Sequence, residues 1–73
     1  MSEYNIKFQW DGDAAVWIAT SEDVPGLVLE SGSLGALMER VKITVPELLE
    51  LNGVPNQALS LCFKSEKYEQ VSL

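Results

Sequence analysis

Only one stretch of this chain repeats at helical spacing. Between residues 33 and 51, apolar side chains recur at Leu34, Leu37, Met38, Val41, Val45, Leu48 and Leu49, which together form one face of a helix. The other long segments read as strands separated by turns. A single amphipathic helix can cover one face of a sheet. The sheet built from the rest of the chain is therefore expected to keep one face without a helical cover, with some apolar surface left on it. Contiguous apolar surface of that kind marks an interaction site on a small domain.

The helix is expected over about 33–51. Ser33 is its N-cap, placed so that its hydroxyl accepts from a first-turn amide. Pro46 removes an internal hydrogen bond and crowds the preceding turn, yet the apolar stripe passes through it in phase. This predicts one helix kinked near Thr44, with Thr44 and Glu47 able to form a capping box after the kink. Asn52-Gly53 ends it, with Gly53 left-handed.

Before the helix, YNIKFQW alternates strictly, with Tyr4, Ile6, Phe8 and Trp10 on one side and Asn5, Lys7 and Gln9 on the other. That is the period of a half-buried strand, placed at about 3–10. DGDA supplies hairpin chemistry, with Asp11-Gly12 as the corner. A second strand at about 14–21 is apolar on both sides, Val16 and Ile18 against Ala15, Trp17 and Ala19. EDVPG turns the chain into a short third strand at about 26–30. Here Pro25 sets the entry torsion and Gly26 permits the reversal. After the helix, VPNQ reads as a loop and ALSLCF as a strand at about 58–63. KSEK is a turn signal, and 67–72 is either a short fifth strand or a loose tail. The order is β-β-β-α-β. The fold class is α+β, a single domain over 1–73 with an antiparallel meander and one kinked helix on one face.

A 73-residue domain buries only about 60% of the surface its unfolded chain exposes, so it needs outside support. Cys62 is the lone cysteine and histidine is absent, which excludes an internal disulfide and a Cys/His zinc site. Association is the support that remains, as a homodimer or higher homo-oligomer. The start MSEYNIKFQW lacks a signal peptide's basic and apolar regions, and no apolar run reaches the ~20 residues of a membrane span, so a cytoplasmic protein is expected.

Net charge is −6 and uneven. Residues 1–30 carry Glu3, Asp11, Asp13, Glu22, Asp23 and Glu30 against Lys7 alone, a balance of −5; residues 31–73 balance at −1. Five scattered basic residues do not make a phosphate-binding surface, so direct nucleic-acid binding is not expected. The acidic first half suits a basic protein partner, although the same charge also serves plain solubility.

From Val16 to Leu34 the chain reads VWIATSEDVPGLVLESGSL: an aromatic two residues before an alanine, an acidic-apolar-Pro-Gly corner, a short strand, a polar cap and an amphipathic helix. This resembles the HicB-like antitoxin domain, and the likeness extends in order from the first strand through VPELLELNG. The resemblance implies a partial ribonuclease H-like fold, dimers or higher oligomers, and a mechanism of occlusion in which the acidic meander covers the RNA-contacting face of a small basic HicA-type ribonuclease toxin. Longer members of that family carry a DNA-binding segment after this domain. This chain ends at Leu73 without room for one, so self-repression of an operon is not expected of it.

A ribonuclease H-like fold raises the question of metal-dependent cleavage, which needs carboxylates converging on two magnesium ions. Catalytic members of the broader fold place an acid midway along the first strand, where this chain has Asn5, Lys7 and Gln9. Glu39 and Glu47 have no strand carboxylate to meet, so neither catalytic residues nor a cofactor is expected. Asp11 and Asp13 about Gly12 lack the further ligands of a calcium loop and read as turn chemistry. Partner binding is assigned to Trp17, Glu22, Asp23, Asp11 and Asp13, with Trp10 assigned to the core and Pro25 and Gly26 to the turn. The alternative to the antitoxin reading is a stand-alone oligomeric scaffold or regulator without a toxin partner; a residual magnesium nuclease ranks third.

Overall fold

The computed structural model describes residues 2–54 and 58–72. Its elements are β1 (Ser2–Asp11), β2 (Val16–Thr20), β3 (Val28–Ser31), α1 (Leu34–Leu51) and β4 (Leu59–Glu66), in the order expected. They form one four-stranded sheet in the order β3-β2-β1-β4. The meander is antiparallel, and β4 then crosses back to pair parallel with β1, from Ser2 opposite Leu59 to Gln9 opposite Glu66.

Directly opposed residues share a face. Ile6, Phe8, Ala19, Leu29 and Phe63 therefore lie together, and α1 packs on that side through Leu37, Val41, Val45 and Leu49. Phe8 is fully buried, and its ring meets that of Phe63 edge to face at 5.1 Å. Arg40 Nη1 donates to the carbonyl of Glu30 at 2.9 Å, tying the solvent side of α1 to β3.

Both helix ends follow the sequence. Ser33 Oγ accepts from the amide of Ala36 at 3.2 Å. At the other end the Gly53 amide donates to the carbonyl of Glu50, and that of Val54 donates to Leu49. This pair of hydrogen bonds about a left-handed glycine (φ 80°) is a Schellman cap, sealed by Val54 against the core. The helix runs as one element through Thr44 and Pro46, and no side chain of Thr44 or Glu47 caps a second helix among the described residues. Without an amide at Pro46 the carbonyl of Lys42 loses its intrahelical donor, but Lys42 is exposed and water can serve it.

Val24-Pro25-Gly26-Leu27 closes with the Leu27 amide on the Val24 carbonyl at 3.3 Å and Gly26 at φ 86°. Proline followed by a positive-φ glycine is the pattern of a type II turn. Its flanks, Val24 and Leu27, are both buried and plug the core beside α1.

Two sequence expectations are corrected, one open alternative is decided, and one turn residue is located. The strand expected at 58–63 continues through the KSEK turn signal to Glu66, because parallel pairing with Lys7, Phe8 and Gln9 supplies backbone partners for 64–66. Residues 67–72 form no strand and are the loose tail of the two alternatives; continued in register they would meet only Trp10 and Asp11 before β1 ends. The second and third strands shrink to Val16–Thr20 and Val28–Ser31, as the turns claim Ala15 and residues 26–27. The left-handed residue of the first hairpin is Ala15, at φ 55°, and not Gly12. The expected loop at 54–57 lies, apart from Val54, outside the described residues.

Candidate functional site

Alternation places Asn5, Lys7, Gln9, Val16, Ile18, Thr20, Val28 and Glu30 on the face of the sheet opposite α1. Cys62, Lys64 and Glu66 join them from β4. No described element covers this face. It is hollowed by two open clefts, one of about 510 Å³ bordered by Asn5, Lys7, Thr20, Glu22 and Lys64, the other of about 340 Å³ bordered by Gln9, Asp11 and Ile18. Its apolar part is smaller than the sequence suggested. Val16 and Ile18 are half-buried and Val28 is 72% exposed, with polar side chains around them.

The β1–β4 register sets Lys7 directly beside Lys64. Like charges opposed across two strands are destabilising, and neither lysine has an ion pair among the described residues. The pairs that do form, Lys42–Glu39 at 3.0 Å and Lys67–Glu69 at 2.8 Å, lie elsewhere and are exposed. The open face thus presents two adjacent cations with Glu22, Glu30 and Glu66 nearby, around a modest apolar centre.

The residues assigned to partner binding are not gathered into one site. Trp17 lies on the helix side of the sheet, its ring 5.5 Å from that of Trp10, with the Lys67 ammonium 4.7 Å above Trp10. Opposition to Trp10 fixes its face, so Trp17 is not part of the uncovered side. Asp11 serves the hairpin, its Oδ1 accepting from the amides of Asp13 at 3.0 Å and Ala14 at 3.3 Å. At the other end of the sheet Asp23 Oδ2 accepts from the amide of Asn5 at 2.7 Å and from its side-chain nitrogen at 3.2 Å. Ser21 Oγ completes that staple, donating to the Asn5 carbonyl at 2.6 Å and accepting from the Asp23 amide at 3.0 Å. Asp23 holds Asn5, six residues from Asp11 along β1, so the two acidic pairs are separated by about 20 Å at roughly 3.3 Å per residue. Glu22 and Asp13 are exposed and make no side-chain hydrogen bond among the described residues.

Sequence reasoning did not gather Lys7, Ile18, Lys64 and Glu66 into one surface. Strand alternation signalled the first two, whereas only the parallel pairing of first and last strands brings the others alongside. Cys62 lies half-buried on the same face opposite Asn5. Among the described residues no three or more Cys, Asp or Glu side chains are grouped to hold a metal ion. The carboxyl of Glu69 is held below its ordinary value, chiefly by its hydrogen bond to Lys67 and then by the charge of that ammonium. No helix is long and apolar enough to cross a membrane among the described residues.

A family model described as "Domain of unknown function (DUF1902)" matches residues 3–72. The crystal structure of a hypothetical protein from the extremely thermophilic bacterium Thermus thermophilus is similar at 37% identity and a TM-score of 0.81. The alignment covers 94% of this chain and 99% of that one. No curated protein matches the sequence.

Proposed function

The chain belongs to the DUF1902 family, and from that premise we propose that it acts without catalysis, in the cytoplasm, by docking another polypeptide on the open face of its sheet. The partner we propose is a small basic ribonuclease of the HicA type, neutralised by occlusion as HicB-like antitoxins do. The observation that supports this is the uncovered, hollowed face, where Val16, Ile18 and Val28 supply an apolar centre and Glu22, Glu30 and Glu66, set around the Lys7–Lys64 pair, a charged border. An apolar core with a polar rim is the general anatomy of a protein interface. Negative border residues would steer a cationic partner and set its orientation.

The test is inhibition of RNA cleavage by a small basic HicA-type ribonuclease, with affinity measured at two salt concentrations. Glu22→Lys combined with Glu30→Lys should weaken the complex at least tenfold and flatten its salt dependence. Both residues are exposed, so the fold should survive. Asp23 is unsuitable for the reversal because its carboxylate holds Asn5. Unchanged affinity in the double variant, or no inhibition by the wild type, would refute the occlusion reading. The second reading, a stand-alone oligomeric scaffold, is favoured by one separate observation, the unpaired outer edge of β4.

A further inference from the structure

We propose that two copies of this chain join edge to edge through β4 and the segment after it, antiparallel about a twofold axis at Ser65. The proposal stands whether or not a toxin docks on the open face. β4 is the last strand of the sheet, and its outer backbone groups have no strand beside them. Unpaired edges template strand addition unless they are blunted. On the helix side β4 carries Leu59, Leu61 and Phe63, all only half-buried.

Residues 67–72 leave the sheet as an arm. The radius of gyration is 13.8 Å and the long dimension 52 Å, whereas a compact chain of this length has a radius near ~11 Å. The arm carries Tyr68 at 82% and Val71 at 77% exposure. Lys67 stays over the Trp10 ring, but Tyr68 and Val71 beyond it are bare and need a surface to lie against, and the outer edge of a second β4 has the matching length.

Charge and the reach of the arm together select the register: an axis at Leu61, Cys62 or Phe63 opposes no like charges but runs Val71 past the start of the partner's β4. A twofold normal to the sheet returns each residue to its own face, and opposed residues of antiparallel strands share a face. One residue must therefore oppose its own copy on the axis. Lys64, Glu66 or Lys67 on the axis would set like charges together. With Ser65 on the axis, Lys64 opposes the partner's Glu66, and the symmetric contact repeats it. The arm then runs along Leu59–Phe63 of the other copy, Val71 opposing the partner's Leu59 and Tyr68 the partner's Cys62. An axis at Tyr68 would also match Lys67 with Glu69, but it leaves Leu59–Phe63 bare.

Sedimentation velocity across a concentration series tests this on the full chain. The wild type should be a dimer. Lys64→Glu and Glu66→Lys should each weaken it about tenfold, and the two together should restore it, as a charge pair swapped in place must. Lys64→Glu also gives Lys7 an opposite charge in its own sheet, so loss of the dimer could not be put down to unfolding. In a Cys62→Ser background, Ser65→Cys should cross-link two chains on oxidation. Cα atoms opposed across antiparallel strands lie about 4.5–5.5 Å apart, within the disulfide range of about 4.4–6.8 Å. Lys67→Cys in the same background should not cross-link. A wild type that stays monomeric, a dimer indifferent to both single reversals, a double reversal that fails to recover, or cross-linking at 67 in preference to 65 would each overturn the proposal.

Discussion

Replacing Ala15 by glycine should stabilise this protein, although nothing in the sequence singles Ala15 out. Its φ of 55° puts an L-residue with a Cβ in the left-handed region. That conformation costs about 1–2 kcal/mol for a non-glycine residue. Glycine removes the cost but gains freedom in the unfolded chain, which returns about 0.5–1 kcal/mol. The difference favours Ala15→Gly by about 0.5–1 kcal/mol, and with about 4–8 °C per kcal/mol for a domain of this size the melting temperature should rise by several degrees. Gly12, the residue the Asp-Gly motif points to, is not left-handed, and a Cβ built there meets only Trp10 Nε1 at 3.7 Å, an ordinary contact. Gly12→Ala should therefore be neutral or mildly stabilising, by up to about 1 kcal/mol. The assay is urea unfolding followed by circular dichroism at a fixed protein concentration, with the slope checked for constancy between variants. The reasoning is refuted if Ala15→Gly lowers the midpoint while Gly12→Ala lowers it by more. The hairpin would then turn on the glycine and not on the alanine.

Leu37→Ala, at a fully buried position facing the sheet, should cost about 2–5 kcal/mol and leave so small a domain largely unfolded in circular dichroism at room temperature. Asp23→Ala should cost about 1–2 kcal/mol by chemical denaturation, because the Asn5 amide loses a charged acceptor at a site that water can reach; hydrogen exchange at the Asn5 amide should quicken with it. Lys67→Met should return the Glu69 carboxyl toward its ordinary value in an NMR titration. Because the folded-state pKa is the depressed one, the pair's contribution is present above the ordinary carboxyl range and lost as pH falls through the Glu69 titration. At so exposed a position the melting temperature should scarcely move.

Much of the fold was legible because local chemistry and tertiary structure agree. The alternation of residues 4–10, the Ser33 cap, the Pro25-Gly26 turn and the Asn52-Gly53 stop each have a short-range physical cause, and each is present. What was illegible depends on pairing between distant segments. Lys64-Ser65-Glu66 looks like a turn on its own and becomes strand only because β1 lies beside it. Trp17 sits in a strand apolar on both sides, so alternation could not orient it, and contact with Trp10 decided the matter. The acids of EDVPGL and DGDA looked like a docking surface, yet Asp11 spends its carboxylate on its own turn and Asp23 spends its carboxylate on Asn5 of β1. Proximity in sequence to a turn was the stronger cue, and it pointed to structure.

The parallel pairing of β1 with β4 also governs the order in which this protein can be completed. Of these four strands the earliest in the chain ends as an inner strand, and the neighbour that closes its second side is the latest. Until β4 emerges, β1 offers one bare edge along its length, beside Ile6 and Phe8. Such late, long-range closure slows folding and leaves a sticky interval for a chain still under construction. The meander and helix must wait, and a protein interrupted before residue 59 would lack the strand that closes that edge rather than a dispensable tail.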